Sequence, residues 1–275
     1  MPKVQTPQTL TGLARVIAKH RNRVVILSDD DSGFKGPPRG VLIDPRGIAG
    51  FSAVSVSGGK VTIGTGIHFG DLLRQVDGEN GLLKQAVSMM ANPLVRNRVT
   101  VLSALAMDSP YLDLATALVS LGARVRVQTP STSHIVPIES FLLAAAEGLG
   151  AGEFPAAVEY GMLDAKWRVG FFRINPGGGR GTVSASVRTR LNRNVAQDPQ
   201  IVVSSSTVIP VSVPAASRAL ARRALSEGNV KIVAEIAATE MLEFAGLEES
   251  PYDSSLIEVA VSRAIRRVTD SARLV

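Results

Sequence analysis

The sequence predicts an α+β protein, and three observations carry that reading. Leu10, Leu13, Val16 and Ile17 recur near the start at the spacing of one helix face. The run AVSVSGGKVTIGTG, residues 53–66, alternates apolar and polar residues on both sides of Gly58-Gly59, as a tight hairpin does. The far end is helical, with Ile257, Val261, Ala264, Ile265 and Val268 forming one apolar stripe read as core.

The elements between these follow in order. VVIL (residues 24–27) is a short strand candidate, followed by the polar loop SDDDSGFKGPPRG and then VLID. This strand–loop–strand order after a helix suggests a small α/β unit ending near Gly50. Helical patterns occupy residues 70–73, 82–90 and 111–121, and RVRVQTP (124–130) returns to strand. Glycines and Pro155 thin the pattern over 148–161, which places a boundary near Asp164. Beyond it, TVSASVRTRL and IVVSSSTVIPV are strand candidates. PGGGRG (176–181) is a turn, because consecutive glycines cost too much entropy inside an element. RALARRAL, VKIVAEIAATEMLEFAG and SSLIEVAVSRAIRRV are expected as helices. The expected domains are therefore 1–52, 53–164 and 165–275. No internal repeat stands out.

Composition narrows the function classes. A chain of 275 residues, 45% hydrophobic and 20% charged, has the make-up of a soluble globular protein. It lacks cysteine, which excludes disulfides, cysteine-held iron–sulfur clusters and thiolate zinc sites. No apolar run approaches the roughly 18 residues of a membrane span. MPKVQTPQTL lacks the apolar core of a secretion signal, so a cytoplasmic location is expected. The net charge of +6 is uneven. Lys166, Arg168, Arg173, Arg180, Arg188, Arg190 and Arg193 follow one another with no acid between them. That segment reads either as a solvated basic face or as a contact for an anion, an acidic partner or nucleic acid. So few aromatics accompany it that nucleic acid is disfavoured. His20, His68 and His134 lie in unrelated elements, which gives neither a metal cluster nor a triad. Ser204-Ser205-Ser206 has no nucleophile elbow, and PGGGRG lacks the Lys-Ser/Thr ending of a phosphate loop. No catalytic residue is assigned.

The stretch VRNRVTVLSALAMDSPYLDLATALVSLGARVRV, from residue 95, resembles the flavin-binding medium subunit of molybdenum hydroxylases, the xanthine dehydrogenase and carbon monoxide dehydrogenase family. Members carry Val-Arg-Asn-Arg-Gly-Thr-Ile-Gly-Gly and then Asp-Pro-x-x-Asp. Val95, Arg96, Asn97, Arg98 and Thr100 match the first run; Asp108, Pro110 and Asp113 fit the second with one residue inserted. TPQTLTGLARVIAKH, VLIDPRGIAGFSAVSVSGGKVTIGTGIHFGDL and the 136–141 segment are similar to further family stretches, and the C-terminal part is similar in pattern. The resemblance implies a two-part FAD-binding fold of the vanillyl alcohol oxidase type followed by a C-terminal α+β domain. It also implies partners: a small iron–sulfur subunit with two 2Fe–2S clusters and a large molybdopterin subunit.

By the same resemblance, two glycine-rich loops should hold the FAD pyrophosphate, since glycine lets backbone N–H groups approach the anion. The first family loop reads Ala-Gly-Gly-Thr/Ser-x-Leu. At that place stand Leu27, Ser28, Asp29, Asp30, Asp31 and Ser32, so aspartates replace both glycines. A carboxylate some 4 Å from a phosphate costs about 1 kcal/mol in water and about 4 at an effective dielectric of 20. In the second loop Val99, Leu102 and Ser103 stand where the family places glycines, beside the retained Thr100. Valine and leucine tolerate positive φ badly, so the cradle is not expected in its usual geometry. Lys35, or a metal on Asp29-Asp30-Asp31, are the possible compensations. Asp113 matches an aspartate that contacts the cofactor, or else caps the following helix. Lys166, Arg168 and Arg173 compete for the place of a family lysine.

The expectation is thus a medium subunit whose FAD, never covalently bound, is held weakly or not at all, and which works as a structural subunit. Two alternatives stand beside it. One is a working FAD subunit relaying electrons from 2Fe–2S clusters to NAD or another acceptor; the other, a weaker one, is an anion or nucleic-acid binding module.

Overall fold

Nothing in the apolar pattern marks Lys3–Gln5 as a strand, yet it forms β1, because Val41–Ile43 supplies a parallel partner for its backbone. The computed structural model describes residues 3–20, 24–26, 41–76, 81–106, 109–175, 182–246 and 251–271. After β1 come α1 (Leu10–His20), β2 (Val24–Ile26), β3 (Val41–Ile43), β4 (Val54–Ser57), β5 (Lys60–Gly64) and α2 (Phe69–Gln75). Four helices follow: α3 (Leu82–Met90), α4 (Pro93–Arg96), α5 (Val101–Ala104) and α6 (Asp113–Ser120). Then come β6 (Arg124–Gln128), β7 (Ser133–Pro137), α7 (Ile138–Glu147), β8 (Phe154–Gly161), β9 (Trp167–Ile174) and β10 (Val183–Asn192). The last are β11 (Val195–Ser205), β12 (Val211–Ser212), α8 (Pro214–Leu220), α9 (Glu227–Ala245) and α10 (Pro251–Ser271). The chain divides into two units by contact. One gathers Met1–Val76, Ala91–Ser109 and Gly122–Gly161; the other gathers Asp77–Met90, Pro110–Leu121 and Met162–Val275. Among the described residues no helix is long and apolar enough to cross a membrane.

The first unit holds two sheets. β1, β3 and β2 form a small parallel sheet in the order β1-β3-β2, and α1 packs Leu13 and Ala14 against Val41 and Ile43. The second sheet runs β4-β5-β8-β6-β7, antiparallel throughout. Its β4–β5 hairpin turns at Gly58 and Gly59, with φ of 58° and 72°, the left-handed conformation that only glycine adopts freely. The central strand β8 lies within the stretch 148–161, where glycines and Pro155 thin the pattern. Pro155 is accommodated because the β6–β8 register shifts between Arg126 and Val127, and proline is tolerated at such a bulge.

Glu159 in β8 is buried, yet it faces two cations across neighbouring strands. Lys60 Nζ donates to it at 2.9 Å, and Arg126 donates to its other oxygen. Burial pushes this carboxyl up, but the hydrogen bonds from Lys60 and Arg126 outweigh burial and hold it below the ordinary glutamate range.

The second unit is one antiparallel sheet, β12-β11-β10-β9, between two helical layers. On one face Val183, Ala185, Val187, Ile201 and Val203 pack against α9 and α10, where Ile257, Val261, Ala264, Ile265 and Val268 are all buried. On the other face α3 and α6 cover residues that are largely polar. α3 docks through Gln85, whose Oε1 accepts from the Phe171 N–H at 3.0 Å on edge strand β9. α10 lies so close to β9 that a Cβ at Gly170 would stand 2.0 Å from the Ala264 carbonyl oxygen. RALARRAL does not continue as a helix. α8 stops at Leu220 because β11 claims the following backbone: Arg222 N–H bonds Ala196 O at 2.8 Å, and Ala196 N–H bonds Arg223 O at 2.9 Å. Arg222 takes φ 61° to make that exchange.

Two outcomes follow from this packing. Gly170→Ala should cost about 1–3 kcal/mol, because the colliding atom is backbone and α10 must shift as a whole; chemical denaturation measures it, and an unchanged midpoint would contradict the close approach. Glu159 has a depressed folded pKa, so its contribution is complete above the unfolded value near 4.5 and disappears as pH falls through the folded one. Glu159→Gln should therefore cost about 1.5–3 kcal/mol at neutral pH and progressively less below pH 4.5; a cost independent of pH would show that charge is not the cause.

Candidate functional site

The residues that match the first flavin loop, Ser28, Asp29, Asp30, Asp31 and Ser32, lie outside the described residues, as do Lys35, Asp108 and the PGGGRG turn. The second loop is fully described, within the first unit. Asn92 opens it: its Oδ1 accepts from the Val95 N–H at 3.0 Å and caps α4, with Pro93 in the first turn. The chain then bends through Asn97 and Arg98 and pairs antiparallel at His68 and Thr100.

Thr100 and Ser103 form a reciprocal cap on the short helix α5. Ser103 N–H donates to Thr100 Oγ1 at 3.1 Å, and Thr100 N–H donates to Ser103 Oγ at 3.0 Å. Two more donors reach across to the segment after β5: Val101 N–H to Ile67 O at 3.0 Å and Leu102 N–H to Thr65 O at 2.6 Å. Arg98 and Val99 N–H groups both bond Val95 O, Ala104 N–H bonds Thr100 O, and Leu105 N–H bonds Val101 O. Every backbone N–H from Arg98 to Leu105 therefore has an acceptor inside this chain. Val99, Thr100 and Val101 are buried, Leu102 packs on the α1 cluster, and Ser103 is exposed. The described non-glycine residues with positive φ are Arg193, Asn194, Asp198 and Arg222, so none of the three residues in the glycine places adopts the left-handed conformation.

Asp113 belongs to the second unit and is the first residue of α6. It does not cap that helix; Leu112 is the cap residue and makes no side-chain bond there. Asp113 points instead onto the polar face of the sheet. Its Oδ2 accepts from Arg173 Nε at 2.7 Å and its Oδ1 from Ser184 Oγ at 2.9 Å. Arg173 also donates to Pro110 O at 3.2 Å. Ser184, Ser204 and Thr116 complete a buried hydroxyl cluster, with Ser184–Ser204 at 2.8 Å and Thr116–Ser204 at 2.7 Å. Both Asp113 oxygens are thus engaged, and of the three competing cations Arg173 is the one brought to it. From the sequence Ser204 is considered only as a nucleophile, and Ser184 and Thr116 are not singled out. Their only signal is the alternation of Ser184 and Ser186 in TVSASV, which says that one face is polar but not what meets it.

Two further basic side chains of this unit meet at Trp167. Arg188 and Arg190 place their guanidinium carbons 4.7 and 4.6 Å from its ring centroid. Arg188 donates to Gln200 Oε1 at 2.7 Å, and both burial and the neighbouring Arg190 charge push its pKa down. Asp198, Pro199 and Gln200 line one side of an open cleft of about 400 Å³, opposite Pro214, Ser217 and Arg218. Among the described residues no three His, Asp or Glu side chains gather as a metal site.

Curated proteins contain no match to the sequence. Among solved structures, carbon monoxide dehydrogenase from Hydrogenophaga pseudoflava lacking its Mo-pyranopterin moiety superimposes with a TM-score of 0.83 at 18% identity, over 98% of each chain. Carbon monoxide dehydrogenase from Oligotropha carboxidovorans gives 0.78 at 16% identity, covering 99% of this chain and 98% of that one. Quinoline 2-oxidoreductase from Pseudomonas putida 86 gives 0.76 at 18% over 98% of each. At such identities these likenesses establish the fold. The family described as the FAD binding domain in molybdopterin dehydrogenase matches residues 3–159, more than half of the chain, and the protein belongs to that family.

Proposed function

We propose that this chain is the medium, flavoprotein-type subunit of a cytoplasmic molybdenum hydroxylase complex, and that it serves there as a packing subunit whose grip on FAD is weakened or lost. The observation that supports this reading is the run of eight N–H groups, Arg98 to Leu105, each bonded within the chain. A pyrophosphate cradle needs such donors pointing at the anion. Freeing them here means breaking the Thr100–Ser103 cap, about 0.5–2 kcal/mol, before any phosphate contact forms. The cross-segment bonds of Val101 and Leu102 add about 1 kcal/mol each. Asp29, Asp30 and Asp31 would add like-charge repulsion at the matching first loop. Asp113 supports the same reading, since its carboxylate already ties α6 to the sheet through Arg173 and Ser184.

An iron–sulfur subunit and a molybdopterin subunit are the partners in this reading, and electrons leave the complex by a route other than this chain. A chain without cysteine supplies no iron–sulfur ligation of its own.

The purified chain is expected to be colourless and to bind added FAD about 10²–10⁴-fold more weakly than a version that regains two charged hydrogen bonds to phosphate. That version replaces Asp29, Asp30, Val99, Leu102 and Ser103 with glycine. Absorption at the flavin bands and a fluorescence titration read both forms; a yellow wild-type protein with one FAD per chain would reverse the proposal in favour of a working flavin subunit. Purification through a tag on the native chain should recover an iron–sulfur and a molybdopterin subunit in fixed ratio. Repeated isolation of the chain alone, from cells that express those subunits, would count against the complex.

A further inference from the structure

We infer that Arg188 and Arg190, stacked on Trp167, form a binding site for a tetrahedral dianion of the phosphate or sulfate class. The site lies wholly in the second unit and is independent of the flavin reading.

A guanidinium carries five N–H groups and cannot give up its charge. Arg190 makes no hydrogen bond among the described residues. Its nearest carboxylates, Asp164 and Asp198, stand off at 3.6 and 4.0 Å and are themselves mostly exposed. Arg188 makes one hydrogen bond, to the neutral amide oxygen of Gln200, and meets no carboxylate among the described residues. The Nε–H of each is enclosed with no acceptor. An enclosed N–H with no acceptor is uncommon, and a group of this kind calls for an ion or water to complete it.

The fold brings the two cations together and holds them there. Trp167 and Arg190 are direct cross-strand partners in the β9–β10 ladder, and Arg188 is two residues along on the same face. The ring offers each guanidinium its face, which orients them without neutralising them. The neighbouring charge and burial both act against the Arg188 cation, so a bound anion relieves two penalties at once. A carboxylate balances one guanidinium; a dianion balances both, and two guanidinium forks suit its several oxygens. Gln200, which accepts from Arg188, and Asp198, 4.0 Å from Arg190, are among the residues lining the cleft of about 400 Å³.

Trp167 is the chain's single tryptophan, so the protein carries its own reporter. Sodium sulfate and sodium phosphate are titrated into the full-length protein at constant ionic strength, with sodium chloride as balance and sodium acetate as a monoanion control. A saturable change in tryptophan fluorescence is expected for both dianions, at least tenfold weaker for acetate, with a matching rise in Tm. Arg190→Gln and Arg188→Gln should each weaken it tenfold or more. Should Arg188→Gln fail to fold, the more exposed Arg190→Gln decides by itself. No saturable change, the same change with chloride or acetate, or full retention in Arg190→Gln would overturn the site and leave the cluster as a stacking ladder only.

Discussion

A buried backbone N–H must find an acceptor, and residues 98–105 find all of theirs at home. That constraint organises the first unit. The segment after β5 supplies Thr65 and Ile67 carbonyls, α5 supplies its own, and Ser103 Oγ takes the Thr100 donor that would otherwise be orphaned at the helix start. Val99 and Leu102 enforce the arrangement, since each is apolar and faces inward. In this chain the segment is a capped turn whose donors are all engaged.

The second unit solves a different problem. Its sheet has one apolar face and one largely polar face, and both are covered by helices. Covering the apolar face requires only shape, which α9 and α10 supply, with Gly170 allowing the closest approach. Covering the polar face requires matched partners. Asp113, Arg173, Ser184, Ser204 and Thr116 satisfy one another there, and Gln85 satisfies the edge strand. Beyond α6, Arg188 has aromatic and amide contacts, and Arg190 stacks on the same ring with only the longer ion pairs to Asp164 and Asp198. The uneven charge visible along residues 166–193 is therefore divided: Arg173 pairs with the buried Asp113, while Arg188 and Arg190 stack on Trp167.

The elements that depend on local pattern were legible in the sequence. The Gly58-Gly59 hairpin, the α10 stripe and the match through Val95, Arg96, Asn97, Arg98 and Thr100 rest on neighbours within a few residues, and each needs only its own side-chain period or turn chemistry. Strand β8 was not legible, because Pro155 and nearby glycines mask its alternation until a partner strand provides a bulge to hold them. Nor was the end of α8, where helical propensity in RALARRAL yields to backbone exchange with β11. The replaced glycines could be read directly. That every donor in the loop has an internal acceptor could not, since those acceptors include Thr65 and Ile67, more than thirty residues away. The sequence by itself determined the family, the periodic elements and the residues standing at the flavin positions, because these are properties of order along the chain. Only the tertiary structure decided that Asp113 meets Arg173 and not the end of its helix, and that Arg188 and Arg190 share one ring. Burial and charge pairing belong to neighbours in space, which the order of residues does not state.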